Sequence, residues 1–561
     1  MKRSLMFTLA FILLMTSVLL SACSSESGNP ETTSKDSEAE SLVSENGVYP
    51  ITEEKVTLRV MVGAREFVEN YETNEFTKWY EELTNVHIEW DVVPANSVPE
   101  KLNLMLASGD YPDVVLNMFV SNEQQMVYGE QGVFLPLNDL IEAYGPNIKQ
   151  TFAELPEIKD VITAPNGNIY ALPQIEQCFH CTMSQKQWIY KPWLDQLGLE
   201  VPTTTEEYYQ VLKAFKEQDP NGNGVQDEIP LAGSSKGWNT RVYDFLMNGF
   251  IHNNTVIANH HMYVDEGQIN VAYDKPEWRQ GLEYLNTLYK EGLLSAESFT
   301  QDGSQLRQMG EQAGDHILGS APGGSVGALT QLLGESGKWL EYVAVPPLKG
   351  PNGVQVAGYN PYGGSMFGKF LITKEAKHPE IAMRWVDGFY SKWDDPNEIM
   401  MRSLFGVPEK DWVKAEADMI GINGEPAWYK TITNPESSNQ NTHWSQTAPT
   451  VRTSDFRLAA AIDKETMDEN IEVLLYEATT LYDPFKPEID EVLPPLFLTE
   501  EQSAELADLQ KTISEYVEQM VARFVTGDAD LGTEWDKYLE TLNGMNLKRY
   551  LEIYQEAYDK R

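Results

Sequence analysis

The segment from Asp219 to Glu228 reads D-P-N-G-N-G-V-Q-D-E, with oxygen-bearing side chains at Asp219, Asn221 and Asn223. Gly224 follows, then Val225, a position that offers its carbonyl, then Asp227 and Glu228. Ca²⁺ is a hard cation that takes about six to eight oxygens. An EF-hand-type loop supplies them from alternate positions, with a Gly at the sixth for the sharp turn. The match holds through the ninth position and then stops. Pro230 stands where an EF-hand has its bidentate Glu, so Glu228 is left to close the shell. The competing reading of the same residues is an Asn/Gly-rich surface turn. A Ca²⁺ site here is structural; it pins a loop and names no activity.

Other chemistry is thinner. The chain has three Cys. Cys178 and Cys181 form a C-x-x-C around His180, with no second pair to complete a zinc site. A redox motif of the thioredoxin kind opens a helix, whereas Thr182 to Tyr190 reads as a strand. A local disulfide or two quiet thiols is the expectation. Gly363 to Lys369 spells G-x-x-x-x-G-K, but Phe370 replaces the Ser or Thr that would hold Mg²⁺, and a strand-like run follows. Nucleotide binding is set aside. No G-x-S-x-G or H-E-x-x-H occurs, and His260-His261 has no Glu at ligand spacing. With 85 acids present, pairs such as Asp394-Asp395 carry no information on glycoside hydrolysis. The chain reads as a non-enzyme.

The elements that must position these residues follow from the amino terminus. Lys2 and Arg3 precede an apolar run, Leu5 to Leu20, and then Leu20-Ser-Ala-Cys23. This is a signal peptide, residues 1–22, with a site resembling a bacterial lipobox, which makes Cys23 the lipidated first residue of the mature chain, a palmitate-type anchor. Residues 23–54 are Ser-, Glu- and Thr-rich and read as a flexible tether. About 500 residues remain, too many for one core. The formal charge is −43, so loss of Lys2 and Arg3 takes the mature chain to about −45. Such a field repels nucleic acid.

Val56 to Val62 alternates as a strand; Glu66 to Leu83 reads as a helix; Val86 to Val93 is a second strand; Glu100 to Ala107 is helical; Val114 to Asn117 is a third strand. This order predicts a parallel sheet with right-handed crossovers. Ligands of open α/β sheets sit beyond the strand carboxyl ends, here Gly63-Ala-Arg65 and Asn117-Met-Phe119.

Three segments, Leu102-Asn-Leu-Met-Leu-Ala-Ser-Gly-Asp-Tyr-Pro-Asp113, Thr163 to Pro173 and Trp193 to Thr203, resemble those of the extracellular solute-binding lipoproteins of carbohydrate ABC importers. The large binders related to alginate- and aldouronate-binding proteins are the nearest group. The resemblance implies a two-lobed, type II periplasmic-binding-protein-like α/β fold. One lobe would take residues 55–172 plus about 345–405, the other 173–344 plus about 406–561. It implies Ca²⁺ on Asp219, Asn221, Asn223, the Val225 carbonyl, Asp227 and Glu228, and excuses the missing Glu at Pro230. It implies an oligosaccharide ligand, hinge closure, ABC permease subunits as partners, and a monomer on the extracellular face of the bacterial membrane. Peptide or signal binding, or a secreted glycan-degrading enzyme, are the alternative readings.

The chain holds 13 Trp, 27 Tyr and 20 Phe. Sugar rings stack their C–H faces on aromatic planes and need polar partners for their hydroxyls, while aromatics at helical spacing belong to cores. Loop context selects Trp238, Tyr359, Tyr362, Trp428 and Trp444, with Arg65, Asn117 and Asn360 as polar partners. Hinge strands are expected at Tyr170 to Pro173 and Val343 to Pro347. Farther on, Thr203 with Glu206 makes a capping box for a helix ahead of the Asp219 loop. Thr499 to Thr526 is a helix stopped by Gly527, and Trp535 to Tyr558 repeats that pattern.

Overall fold

The computed structural model describes residues 43–255, 261–433 and 439–561. The leader, Cys23 and most of the tether, together with the His260 of the His260-His261 pair, lie outside the described residues.

Strands β1 (Val56–Gly63), β2 (Val86–Val93), β3 (Val114–Leu116) and β4 (Leu172–Glu176) belong to a first sheet. β5 (Gln187–Tyr190) and β6 (Ile229–Leu231) belong to a second. β7 (Met262–Asp265) and β8 (Gln268–Val271) form a separate hairpin. β9 (Leu318–Pro322) and β10 (Tyr342–Val345) complete the second sheet. β11 (Met366–Ile372) returns to the first. Three short strands follow, β12 (Trp412–Lys414), β13 (Ile420–Gly421) and β14 (Tyr429–Thr431), before β15 (Val451–Arg452). The first sheet runs β15-β4-β11-β3-β1-β2 and the second β10-β5-β9-β6.

The period-2 alternation of a strand sorts the first sheet's side chains onto two faces. Val60, Val62, Val114, Leu116, Phe370 and Ile372 enter one core, with the helices Glu75–Thr84 and Pro379–Asp387 over them. Met61, Val115 and Leu371 enter another, under the helix Val98–Ser108. The second sheet has its own core. There Trp188, Leu231 and Leu318 pack with residues of the helices Thr205–Glu217, Pro276–Lys290 and Glu500–Thr526.

The strand directions define the edge that matters. β1, β2 and β3 are parallel, and β11 runs against both β3 and β4. The carboxyl ends of β1, β3, β4 and β15 and the start of β11 therefore share one edge. In the second sheet β6 is parallel to β9, while β5 runs against β9 and β10 against β5. The ends of β6, β9 and β10 and the start of β5 share its edge. Residues 177–186 and 346–365 join these two edges directly. The two crossings thus connect the carboxyl edge of one sheet to that of the other.

Several boundaries differ from the sequence reading. The first helix starts at Glu75, because Asn74 caps it by accepting from the Phe76 amide. The capping box is Thr204 with Glu207, one residue later than expected. A four-residue helix, Phe179–Thr182, follows Cys178, and the strand starts only at Gln187. Trp535 to Tyr558 falls in two helices, Leu531–Gly544 and Leu547–Tyr558, broken where Asn546 takes φ +63°. The expected hinge strands are ladder members instead: β4 lies in the first sheet and β10 in the second, and the crossings are the segments after them. Finally, residues 406–561 do not fall together. Trp444 and Ala448 sit in the first core and β15 pairs with β4, whereas Leu475 and the helices beyond join the second core. Glu500–Thr526 matches its expected span, with Thr499 and Gly527 as caps.

Candidate functional site

The carboxyl edge of the first sheet is held by a lattice of polar residues. Asn117 is buried; its amide donates to the Gly63 carbonyl at 2.6 Å and its oxygen accepts from Lys369 Nζ at 2.5 Å. Lys369 also donates to the Gln446 carbonyl at 2.7 Å. Burial holds its ammonium well below the usual lysine range, and Arg65 adds to that. The close approach needs Gly63, where a Cβ would meet the Asn117 carbonyl oxygen at 2.2 Å. Arg65 is half-buried and reaches Gln446 Oε1 at 3.4 Å. Beyond this lattice stands Phe119, 47% exposed. Asn117 and Phe119 have φ of +55° and +56°, a region that bulky residues rarely occupy and that clusters at functional places.

The second sheet answers with one aromatic. After β6 the chain turns through Gly237 to Trp238, which is 50% exposed. The indole lies on the backbone after β9: a Cβ on Gly324 would meet Trp238 Cδ2 at 2.3 Å, and the Gly324 amide donates to the Trp238 carbonyl at 2.9 Å. Asn239 donates to Ser184 Oγ at 2.8 Å and ties this loop to the crossing segment. One large exposed ring therefore follows a strand end in each sheet, Phe119 after β3 and Trp238 after β6. Phe119 was missed as a ligand candidate; its position at the end of β3 was the available signal.

Of the remaining candidates, Asn360, Tyr362 and Trp444 are buried, as Asn117 is. Asn360 is buried, its amide N–H donating to Thr182 O and its side-chain oxygen accepting from the Tyr362 amide. Tyr362 packs in the first core. Trp444 is 1% exposed; it donates to Thr77 Oγ1 at 2.7 Å and meets Phe76 edge-on. Tyr359 is half-buried under Lys486. Trp428 is half-buried and stacked on Trp393.

Cavity size alone does not select the site. A cavity of about 740 Å³ lies at the amino ends of β1 and β3, lined by Val56, Arg59, Gly109 and His378, on the opposite edge.

The crossing segments carry an ion network. Glu176, at the end of β4, accepts from Arg457 at 2.8 Å and pairs with Arg452 at 2.9 Å. Arg457 also reaches Glu472, at 3.8 Å, on the helix Ile471–Thr480. Cys178 and Cys181 form a disulfide in the first crossing. They are therefore not paired thiols available to a metal.

The Asp219–Glu228 loop joins the helix Thr205–Glu217 to β6. Asp219 adopts φ +47°, and Gly222 and Gly224 also have positive φ, which folds the loop inward. Asp219 Oδ2 accepts from the Gly224 amide at 2.9 Å, and Asn223 Oδ1 from the Val225 amide at 2.7 Å. Asn221 and Asn223 both donate to Asp227. Three buried carboxylate oxygens have no hydrogen-bond partner: Asp219 Oδ1 and both oxygens of Glu228. Burial pushes the Glu228 carboxyl up, and the charges of Asp219 and Asp227 add to it. Neighbouring carboxylates that keep unpartnered buried oxygens fit a hard cation, since a buried anionic oxygen is costly without a partner.

Among known proteins, the chain is 28% identical over 532 residues to the fructooligosaccharide ABC transporter substrate-binding protein FusA of Streptococcus pneumoniae serotype 4, covering 92% of each. The structure of a FusA EF-hand mutant in complex with fructo-nystose superposes with a TM-score of 0.66 at 26% identity, covering 90% of this chain and 99% of that one. A human-milk-oligosaccharide (HMO)-binding, ABC-transporter-associated solute-binding protein of Bifidobacterium longum infantis shares the fold, with a TM-score of 0.74 at 22% identity over 90% of this chain and 99% of that one. The family model for bacterial extracellular solute-binding proteins matches residues 58–392, more than half of the chain. With its periplasmic-binding-protein-like α/β fold, this chain belongs to the bacterial extracellular solute-binding proteins.

Proposed function

We propose that the chain captures an oligosaccharide between the carboxyl edges of its two sheets and hands it to the permease subunits of an ABC importer. The observation that carries this reading is the pair of exposed rings, Phe119 and Trp238, one on each edge. Rings facing a common space suit a ligand with apolar faces and a hydroxyl-bearing rim. The end-to-end similarity to a fructooligosaccharide-binding relative supports it. Closure about residues 177–186, 346–365 and the stretch after β15 would bury the sugar. Arg65 and Tyr359 stay as half-buried contacts of that ligand.

The reading includes a structural Ca²⁺ held by Asp219, Asn221, Asn223, the Val225 carbonyl, Asp227 and Glu228. The unpartnered carboxylate oxygens support it. It also includes a lipid on Cys23, which would keep the body at the outer face of the membrane while the tether lets it reorient. Among the described residues no helix is long and apolar enough to span a membrane.

The test is thermal shift and calorimetry on residues 24–561 against neutral and uronic oligosaccharides. Stabilisation by one sugar class, with the sugar recovered unchanged, supports the reading. No stabilisation by any sugar, or cleaved product, overturns it. A ligand at 100 times its Kd adds about 2.7 kcal/mol, well within reach of the method.

A further inference from the structure

Beside β15 lies a second concave region. Its volume is about 490 Å³, within the range of about 300–1,000 Å³ usual for small-molecule sites. Trp393 and Trp428 line it, stacked with centroids 5.1 Å apart and planes 16° from parallel. Both rings are half-buried. Ser391 also lines it, and its buried hydroxyl has no hydrogen-bond partner. A buried hydroxyl without a partner is costly, and a ligand hydroxyl would satisfy it.

The position is as informative as the lining. Gln177, the residue after β4, is part of the wall, as is Thr453, the residue after β15. Part of the cavity wall therefore lies at the same carboxyl edge that Phe119 follows. From β3 to β15 the sheet passes β11 and β4, three strand spacings. At about 4.8 Å each, that is roughly 14 Å. A short sugar at Phe119 does not cover this distance; a chain of several rings does.

The charge decides the ligand's class. Glu154, Asp394 and Asp455 line the cavity against a single cation, Lys392, which is already paired with Glu154 at 2.8 Å. A carboxylate-bearing sugar would meet repulsion here, whereas neutral hydroxyls would find acceptors. We propose that the Trp393–Trp428 cavity is an outer subsite for the far rings of a neutral oligosaccharide. The inference rests on the oligosaccharide reading and adds a length requirement and a charge preference to it.

The test is calorimetry with fructo-, malto- and xylo-oligosaccharides and oligogalacturonates, each from the disaccharide to the hexamer, on the full mature chain. The expected result is tighter binding of longer neutral chains. Trp393→Ala and Trp428→Ala should weaken the hexamer about tenfold and leave the shortest bound chain unchanged. Trp428→Phe should restore most of the loss by keeping a stacking plane. Asp455→Asn, which leaves the packing intact, should alter hexamer binding alone. Variants that bind every length as the parent does overturn the subsite while leaving the oligosaccharide reading standing. Binding of oligogalacturonates alone overturns the charge preference. Failure of every sugar to bind the parent chain overturns both.

Discussion

Trp238 and Trp444 share a residue type and a loop setting, and they do opposite work. Trp238 follows β6, lies on the bare backbone of Gly324 and keeps half its surface in solvent. Trp444 approaches β15, and the chain there dives beneath the first sheet. Its indole is closed in by Phe76, Trp90 and Phe389, and its N–H is spent on Thr77. A large ring is a platform only where the neighbouring elements leave one face uncovered. Where they close over it, the same ring is a core residue that happens to lie outside regular structure.

This contrast can be broken by substitution. Trp444→Ala should cost about 3–5 kcal/mol, the range for emptying a packed aromatic site, and should lower the unfolding midpoint in denaturant. Ligand affinity measured well below that midpoint should change little. If the variant is as stable as the parent, the placement of Trp444 in the core is wrong.

The Ca²⁺ loop sharpens the contrast with a group whose stabilising partner is an ion. With Ca²⁺ at 100 times its Kd, removal by EDTA should cost about 2.7 kcal/mol. Asp219→Ala should show the lowered midpoint and no further response to EDTA. An equal response in both proteins would place the ion elsewhere.

Lys186 extends burial to a charge. It is fully buried in the first crossing and donates to the His180 and Met183 carbonyls. Burial pushes its ammonium from 10.5 down to about 7. The folded pKa thus lies below the unfolded one, so folding releases a proton between the two values. The associated stability is full above the unfolded pKa and is lost as the pH falls through the folded value. From pH 7 to 9 the gain should be on the order of 2 kcal/mol. Lys186→Met should flatten that slope in urea titrations; an unchanged slope would assign it to other groups.

Trp238→Ala should show the smallest effect on the fold and the clearest on function. Stability should stay within about 0.5 kcal/mol, as for exposed sites. Affinity for the oligosaccharide should fall about tenfold, near 1.4 kcal/mol. A variant that loses stability but not affinity would reverse the roles assigned to the two tryptophans.

What was legible in the chain was local. Alternation in Val56 to Val62, caps at Thr499 and Gly527, and the oxygen spacing from Asp219 to Glu228 are short-range patterns, because strand pleat, helix ends and metal loops are each made within about a dozen residues. The family resemblance rested on such segments too. What the chain could not display was which loop residues stay uncovered. Asn117, Asn360, Tyr362 and Trp444 were chosen for their chemistry and then used up by partners more than a hundred residues away, or by the turn that holds them. The split of residues 406–561 between two cores has the same cause: β15 is two residues long, and no periodicity in two residues tells which sheet will pair with it. Local sequence determined the elements; long-range pairing of strand edges decided which of their side chains remain free to bind.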